Sequence, residues 1–255
     1  MSTRRMGVLG AHISRRRAVA LGAVLAGLVV FGVFASKLPG FSRDGAVVFA
    51  SLVVLPAFTA VVWLALPLAR VGEWHLLVAT AAAGLAWVGF YFTGFGELAN
   101  ASKLVCFILF GFWFLSLFEA LWWLGLVALL VPWVDIWSVA AGPTEYVTEE
   151  RPEVFNGISV ALHVPGETST ANIGPPDIVF FALFLAAAQK FRLRVALTWI
   201  SMTGLLSATL LLVYFWDTSG LPALPAVCFG FLLPNLDLIW REARAAYAAR
   251  GQEAK

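Results

Sequence analysis

The amino-acid sequence predicts an all-α polytopic membrane protein of about eight transmembrane helices, with a short strand in the loop between the fifth and sixth. Three observations predict it. Hydrophobic residues make up 61% of the 255-residue chain and charged residues only 13%, against about half and roughly 25% in a soluble domain. The mean hydropathy is +0.87; so much apolar surface exceeds what a core of this size hides, and the solvent must be lipid. The apolar residues are also gathered into runs of the length that crosses a bilayer, about 20 residues each.

The runs fall at about 18–35, 46–69, 75–94, 101–118, 120–140, 173–189, 195–215 and 222–240. The fourth and fifth are nearly continuous. One helix of that length would overshoot a bilayer, so a tight turn is expected near Glu119. Residues 1–118 hold the first four helices and residues 119–255 the rest, within one membrane domain. No internal repeat is evident.

Basic residues set the orientation. Arg4, Arg5, Arg15, Arg16 and Arg17 precede the first run; Lys190, Arg192 and Arg194 follow the sixth; Arg241, Arg244, Arg250 and Lys255 close the chain. Eight crossings place all three clusters, and both termini, on the cytoplasmic side. The expected location is the plasma membrane of a prokaryote. Ser14-Arg15-Arg16-Arg17 also resembles a twin-arginine export signal. With no small-residue cleavage site after 34–36, the first run is expected to stay as an uncleaved helix.

The loop 141–172 then lies outside, and its acidic residues Glu145, Glu149, Glu150, Glu153 and Glu167 agree with that. Residues 143–153 have the two faces of a short interfacial helix. Residues 158–164, Ile-Ser-Val-Ala-Leu-His-Val before Pro165, read as a strand. Residues 166–172 are small and polar and are expected to be mobile.

Two carboxyls stand inside this apolar chain. Asp135 lies about five residues before the end of its run and Asp177 about five after the start of the next. Helices joined by one outside loop run antiparallel, so both carboxyls sit at a similar depth, on the order of 7–10 Å below the surface at 1.5 Å per residue. An ionisable residue in a membrane segment points to function. A close pair of carboxyls shares a proton: one draws a proton from bound water while the other donates to a carbonyl oxygen. Hydrolysis in lipid also needs an unwound substrate, whose backbone must find partners. Pro222 and Pro225 are expected to hold residues 221–225 extended for that purpose, and Pro175 and Pro176 lead into the helix of Asp177. Each feature has a plainer reading by itself. Asp135 suits a helix end bonded to loop amides, Asp177 a helix N-terminus, and Pro-Ala-Leu is common at helix starts.

Taken together, these residues resemble the presenilin and signal peptide peptidase family of intramembrane aspartic proteases, over residues 122–234. The family's first aspartate usually follows a tyrosine; here Asp135 follows Val134, and the continuation Ile-Trp-Ser-Val-Ala-Ala-Gly-Pro is similar. Its Gly-x-Gly-Asp motif corresponds to Gly174-Pro175-Pro176-Asp177, with Pro176 in place of the second glycine. Its Pro-Ala-Leu motif is complete as Pro222-Ala223-Leu224, and Leu-Pro-Ala-Leu-Pro with Phe229-Gly230 resembles presenilin more than signal peptide peptidase. The resemblance implies a presenilin-like fold, Asp135 and Asp177 as catalytic residues, and substrate binding by Gly174, Pro176, Pro222, Ala223, Leu224 and the strand residues Ile158 and Val160. Family members usually have nine helices. The orientation expected here is that of signal peptide peptidase and opposite to presenilin.

The implied partners are membrane proteins with transmembrane segments, together with the lipid bilayer. No basic block interleaves with aromatics, so nucleic acid is not expected. No cofactor or metal is expected. Cys106 and Cys228 lie in apolar runs, and His12, His75 and His163 are far apart. Two further readings stand beside the protease: an inactive member of the same fold that binds or escorts membrane segments, and a proton-coupled carrier using both aspartates as a relay.

Overall fold

A computed structural model describes residues 13–38, 42–141, 152–167, 170–216 and 222–253. These are mostly helical, with one small two-stranded sheet. Among the described residues six helices are long and apolar enough to cross a membrane, or up to seven if one bent pair is a single span. A backbone in lipid must satisfy its own hydrogen bonds, and the helix does so within one segment.

Helix α1 (Arg15–Phe34) opens at Ser14, whose hydroxyl accepts the Arg17 N–H. The second span is composite: α2 (Arg43–Phe49), a π-helical stretch Ala50–Val54, and α3 (Leu55–Ala65). Pro56 has no N–H for the carbonyl one turn back, and the widened π turn lies just ahead of it. Arg17 donates from Nε to the Leu64 carbonyl (3.0 Å) and from its terminal nitrogen to that of Trp63, tying the start of α1 to the end of α3. Helices α4 (Glu73–Phe92) and α5 (Gly96–Phe114) form a tight hairpin. Gly94 closes α4 at φ +78°, the left-handed turn glycine takes without strain.

The turn expected near Glu119 is present. A 3-10 turn, Leu115–Leu117, ends the fourth span and α6 (Leu121–Ala141) begins after it. The Leu121 N–H, an orphan donor at a helix start, is taken by Glu242 Oε1 (3.3 Å). Beyond α6 come α7 (Pro152–Ile158), β1 (Val160–His163) and β2 (Thr170–Ile173). Helix α8 (Pro175–Lys190) is the buried centre of the bundle, enclosed from Ile178 to Ala188 apart from the partly exposed Phe180. It has 16 residues, a length of about 24 Å at 1.5 Å per residue. Its end meets the turn after α5, where Lys190 Nζ donates to the Phe118 carbonyl (2.7 Å). The chain continues as α9 (Val195–Phe215), α10 (Leu224–Leu232) and α11 (Leu236–Glu253).

Small residues let the central helices touch. A Cβ on Gly111 of α5 would lie 2.6 Å from the Val179 carbonyl oxygen of α8, and one on Gly230 of α10 would lie 2.5 Å from Met202 Cα of α9. Phe184 of α8 stacks on Phe231 of α10 with ring centres 4.6 Å apart. Hydroxyls bond between α9 and the second span: Thr203 to Thr59 (3.0 Å) and Ser207 to the Ser51 carbonyl (2.7 Å), joined by the Trp199 indole on the Thr59 carbonyl (3.1 Å).

Four expectations change. The strand is Val160–His163, and Ile158 instead closes α7. Residues 170–172, expected mobile, instead join Ile173 in β2, antiparallel to β1 with Val160 opposite Ile173 and His163 opposite Thr170. The last run is not one helix. It breaks between Leu232 and Leu236 and bends by 73°. Pro234 cannot continue the backbone ladder, and buried Asn235 fills the gap, donating to the Phe231 carbonyl (2.8 Å) and Thr198 Oγ1 (2.8 Å) and accepting the Arg194 N–H (3.1 Å). Finally, 221–225 is not extended throughout: Leu224 starts α10 and Pro225 sits in its first turn, where a missing N–H costs nothing. Most of the helix expected at 143–153 lies outside the described residues.

Candidate active site

Asp135 projects from α6 six residues before its end and three residues after Pro132. Its neighbours Trp133, Val134, Ile136 and Trp137 are exposed, as lipid-facing residues are, whereas Asp135 is half-buried. Its Oδ2 accepts the Leu224 N–H at 3.1 Å. That N–H belongs to the first residue of α10, one of the donors a helix leaves unpaired, and a carboxylate there is favoured by the helix dipole. The first aspartate and the Pro-Ala-Leu segment are therefore in direct contact. Pro222 and Ala223 lead into this contact, both half-buried.

Asp177 is the third residue of α8, closer to the helix start than the fifth position expected from the run. Its Oδ2 reaches back to accept the Gly174 N–H at 3.2 Å. A Cβ on Gly174 would lie 3.1 Å from that oxygen, a close approach in which the carboxyl would have to give by a few tenths of an ångström. Pro175 and Pro176 occupy the first two helical positions, where neither needs a donor. Pro176 is exposed, and the helix start accepts it without disruption.

The two carboxyls lie within electrostatic range of each other, and the buried Cys228 thiol of α10 lies within range of both. Beside Asp177 runs a small, open crevice walled by Leu55, Phe58, Phe181 and Leu206, with Thr59 and Asp177 as its polar groups. Val160 is fully buried and paired with Ile173, one residue before Gly174, which places β1 at the entry to the Asp177 helix. Ile158, on α7 and exposed, is not part of this arrangement. Among the described residues no three His, Cys, Asp or Glu side chains gather to hold a metal ion.

A polar stripe on α5 went unread in the sequence. Glu97, Asn100 and Lys103 face the β1 strand, and Lys103 is buried inside an apolar helix. The signal was available, since a lysine within an apolar run is costly enough to require a reason.

No family model, curated protein or solved structure matches the chain. The fold is that of a helical protein with several helices apolar and long enough to cross a membrane, and the site brings one aspartate to the Leu224 N–H and another to the Gly174 N–H.

Proposed function

We propose that this chain is an intramembrane aspartic endopeptidase of the presenilin and signal peptide peptidase type, with Asp135 and Asp177 as its catalytic pair. The observation that carries the reading is the meeting of three motifs distant in sequence: Asp135 on the Leu224 N–H, Asp177 on the Gly174 N–H, and the two carboxyls in range of one another. In the reaction, the ionised carboxyl takes a proton from a bound water. The water oxygen attacks the scissile carbonyl carbon, and the protonated carboxyl donates to the carbonyl oxygen. Collapse of that intermediate breaks the C–N bond: the departing nitrogen takes the proton drawn from the water, and a hydroxyl of the intermediate returns its proton to the other carboxylate, which restores the singly protonated pair. The pair acts as a unit, with no fixed assignment of acid and base. An unwound substrate would find backbone partners on the β1–β2 ribbon and at residues 222–224.

The substrates are transmembrane segments of other membrane proteins. We propose eight crossings, with α8 as a short, enclosed span and α10–α11 as one bent span. Both termini face the cytoplasm of a prokaryotic cell, and the β ribbon and aspartates lie toward the opposite face. Contacts between helix ends support this alternation: α1 start with α3 end, α5 end with α8 end, and α6 end with α10 start.

A second reading has its own support. Each carboxyl is held by a backbone N–H, and Pro176 stands where the resembled motif has glycine. A non-catalytic member of this fold would bind or escort membrane segments with the same architecture. The deciding experiment reconstitutes the protein in liposomes with tagged single-span substrates and reads fragments by mass spectrometry. Cleavage inside the apolar segment, absent in Asp135→Asn and in Asp177→Asn, is the expected result. Folded protein that cleaves nothing, and gains cleavage in Pro176→Gly, would replace the protease with its silenced relative.

A further inference from the structure

Lys103 is a cation only 7% exposed inside an apolar helix, and the aspartate chemistry makes no use of it. An ammonium in such surroundings is costly unless its donors are filled. Its Nζ donates to the carbonyl oxygens of Gly157 (3.4 Å) and Ser159, and lies 6.0 Å from the centre of the Trp87 ring. These carbonyls are at the end of α7, where a helix leaves acceptors unpaired and a positive charge is favoured. One turn along α5, Asn100 makes a two-way bond with Ala161: Nδ2 donates to the carbonyl (2.9 Å) and Oδ1 accepts the N–H (2.8 Å). One turn further, Glu97 Oε1 is 3.2 Å from His163 Nε2. Residues three apart share a helix face, and alternate residues share a strand edge. Three residues of α5 thus grip residues 159, 161 and 163 in order.

What they grip leads to the site. Val160 pairs with Ile173 and Ala161 with Asn172. Ile173 is followed by Gly174, whose N–H holds the Asp177 carboxyl. A continuous series of bonds runs from α5 through β1 and β2 to Asp177, in addition to the packing of α8 itself.

We propose that Lys103, assisted by Asn100, is a positioning residue for Asp177, acting through the β1–β2 ribbon and touching no reacting atom. The role in catalysis rests on the protease reading; the effect on Asp177 does not. The test compares full-length wild type, Lys103→Met and Lys103→Arg in liposomes, measuring cleavage of a tagged single-span peptide and backbone hydrogen exchange by mass spectrometry. Lys103→Met is expected to lower kcat roughly 10–100-fold with KM near wild type, the scale of an ångström-sized misplacement. Exchange of the Gly174 N–H should rise by about fivefold or more, while α9 and α10 keep their protection. Lys103→Arg should restore both. Asn100→Leu, which leaves the cation in place, should give the same local pattern more weakly. Wild-type exchange at Gly174 in folded Lys103→Met overturns the proposal, as does a rise spread evenly over all helices. If wild type cleaves nothing, the protease reading falls, while exchange at Gly174 still decides whether Lys103 sets Asp177.

Discussion

Replacing Gly230 with alanine tests the packing that brings α10 to the aspartates. A Cβ at this position would lie 2.5 Å from Met202 Cα, 2.7 Å from its N and 2.8 Å from its Cγ. Two of the three are backbone atoms of α9, so no rotamer change relieves them. Ordinary contact begins at 3.4 Å, and the helices must part by about 0.9 Å there. A radial gap of that size forfeits about a quarter to a half of each dispersion contact it opens. The contacts at risk include those of fully buried Met202 and Phe231. Overpacking of this kind costs about 1–3 kcal/mol, and backbone atoms as the obstacle place Gly230→Ala near the top of that range. At about 2–4 °C per kcal/mol for a chain of this size, the midpoint should fall by roughly 5–10 °C. Gly204→Ala on α9 is the control, because that position meets nothing within 4 Å. Alanine there should leave the midpoint unchanged or raise it, by about 0.5–1 kcal/mol of helix preference. The assay is thermal unfolding in one detergent, followed by circular dichroism. A Gly230→Ala midpoint equal to wild type, or an equal fall in Gly204→Ala, would refute the reasoning.

Two further outcomes follow from other parts of the bundle. Asn235→Leu removes three side-chain bonds at the α10–α11 break and leaves the Arg194 N–H without its acceptor; a loss of about 2–3 kcal/mol is expected from thermal unfolding, and a loss below about 0.5 kcal/mol would mean that the break does not depend on Asn235. For the proposed orientation, a membrane-impermeant maleimide should label Glu167→Cys in intact cells and Arg192→Cys only after permeabilisation, with both native cysteines replaced. The reverse pattern would invert the topology.

Much of the helical framework was legible in the sequence. Apart from the last, which breaks, each apolar run is helical close to its expected bounds, and the turn near Glu119 falls where the length of a span demanded it. The two-proline start of α8 was equally readable, because proline fits the first helical turn and little else there. Other features were not legible. Thr170–Ile173 has no apolar alternation of its own and becomes a strand because β1 offers it a partner. The break at Pro234-Asn235 was hidden by the apolar residues on both sides. It depends on Thr198 and Arg194, some forty residues earlier in the chain, for the partners that make it tolerable. Residues 221–225 carry two prolines that suit an extended segment, yet Leu224 turns helical where Asp135 meets its free N–H.

By itself the sequence determined the helices, because in lipid a segment must satisfy its backbone internally and an apolar run of sufficient length leaves one way to do so. It also supplied the two carboxyls and the prolines beside them. Only the tertiary structure decided that Asp135 holds the Leu224 N–H, that α5 grips the ribbon leading to Asp177, and that α8 lies enclosed at the centre. These depend on residues far apart in sequence meeting at close range, Asp135 with the Leu224 N–H and Gly230 with the Met202 backbone, and local periodicity carries no record of such distances.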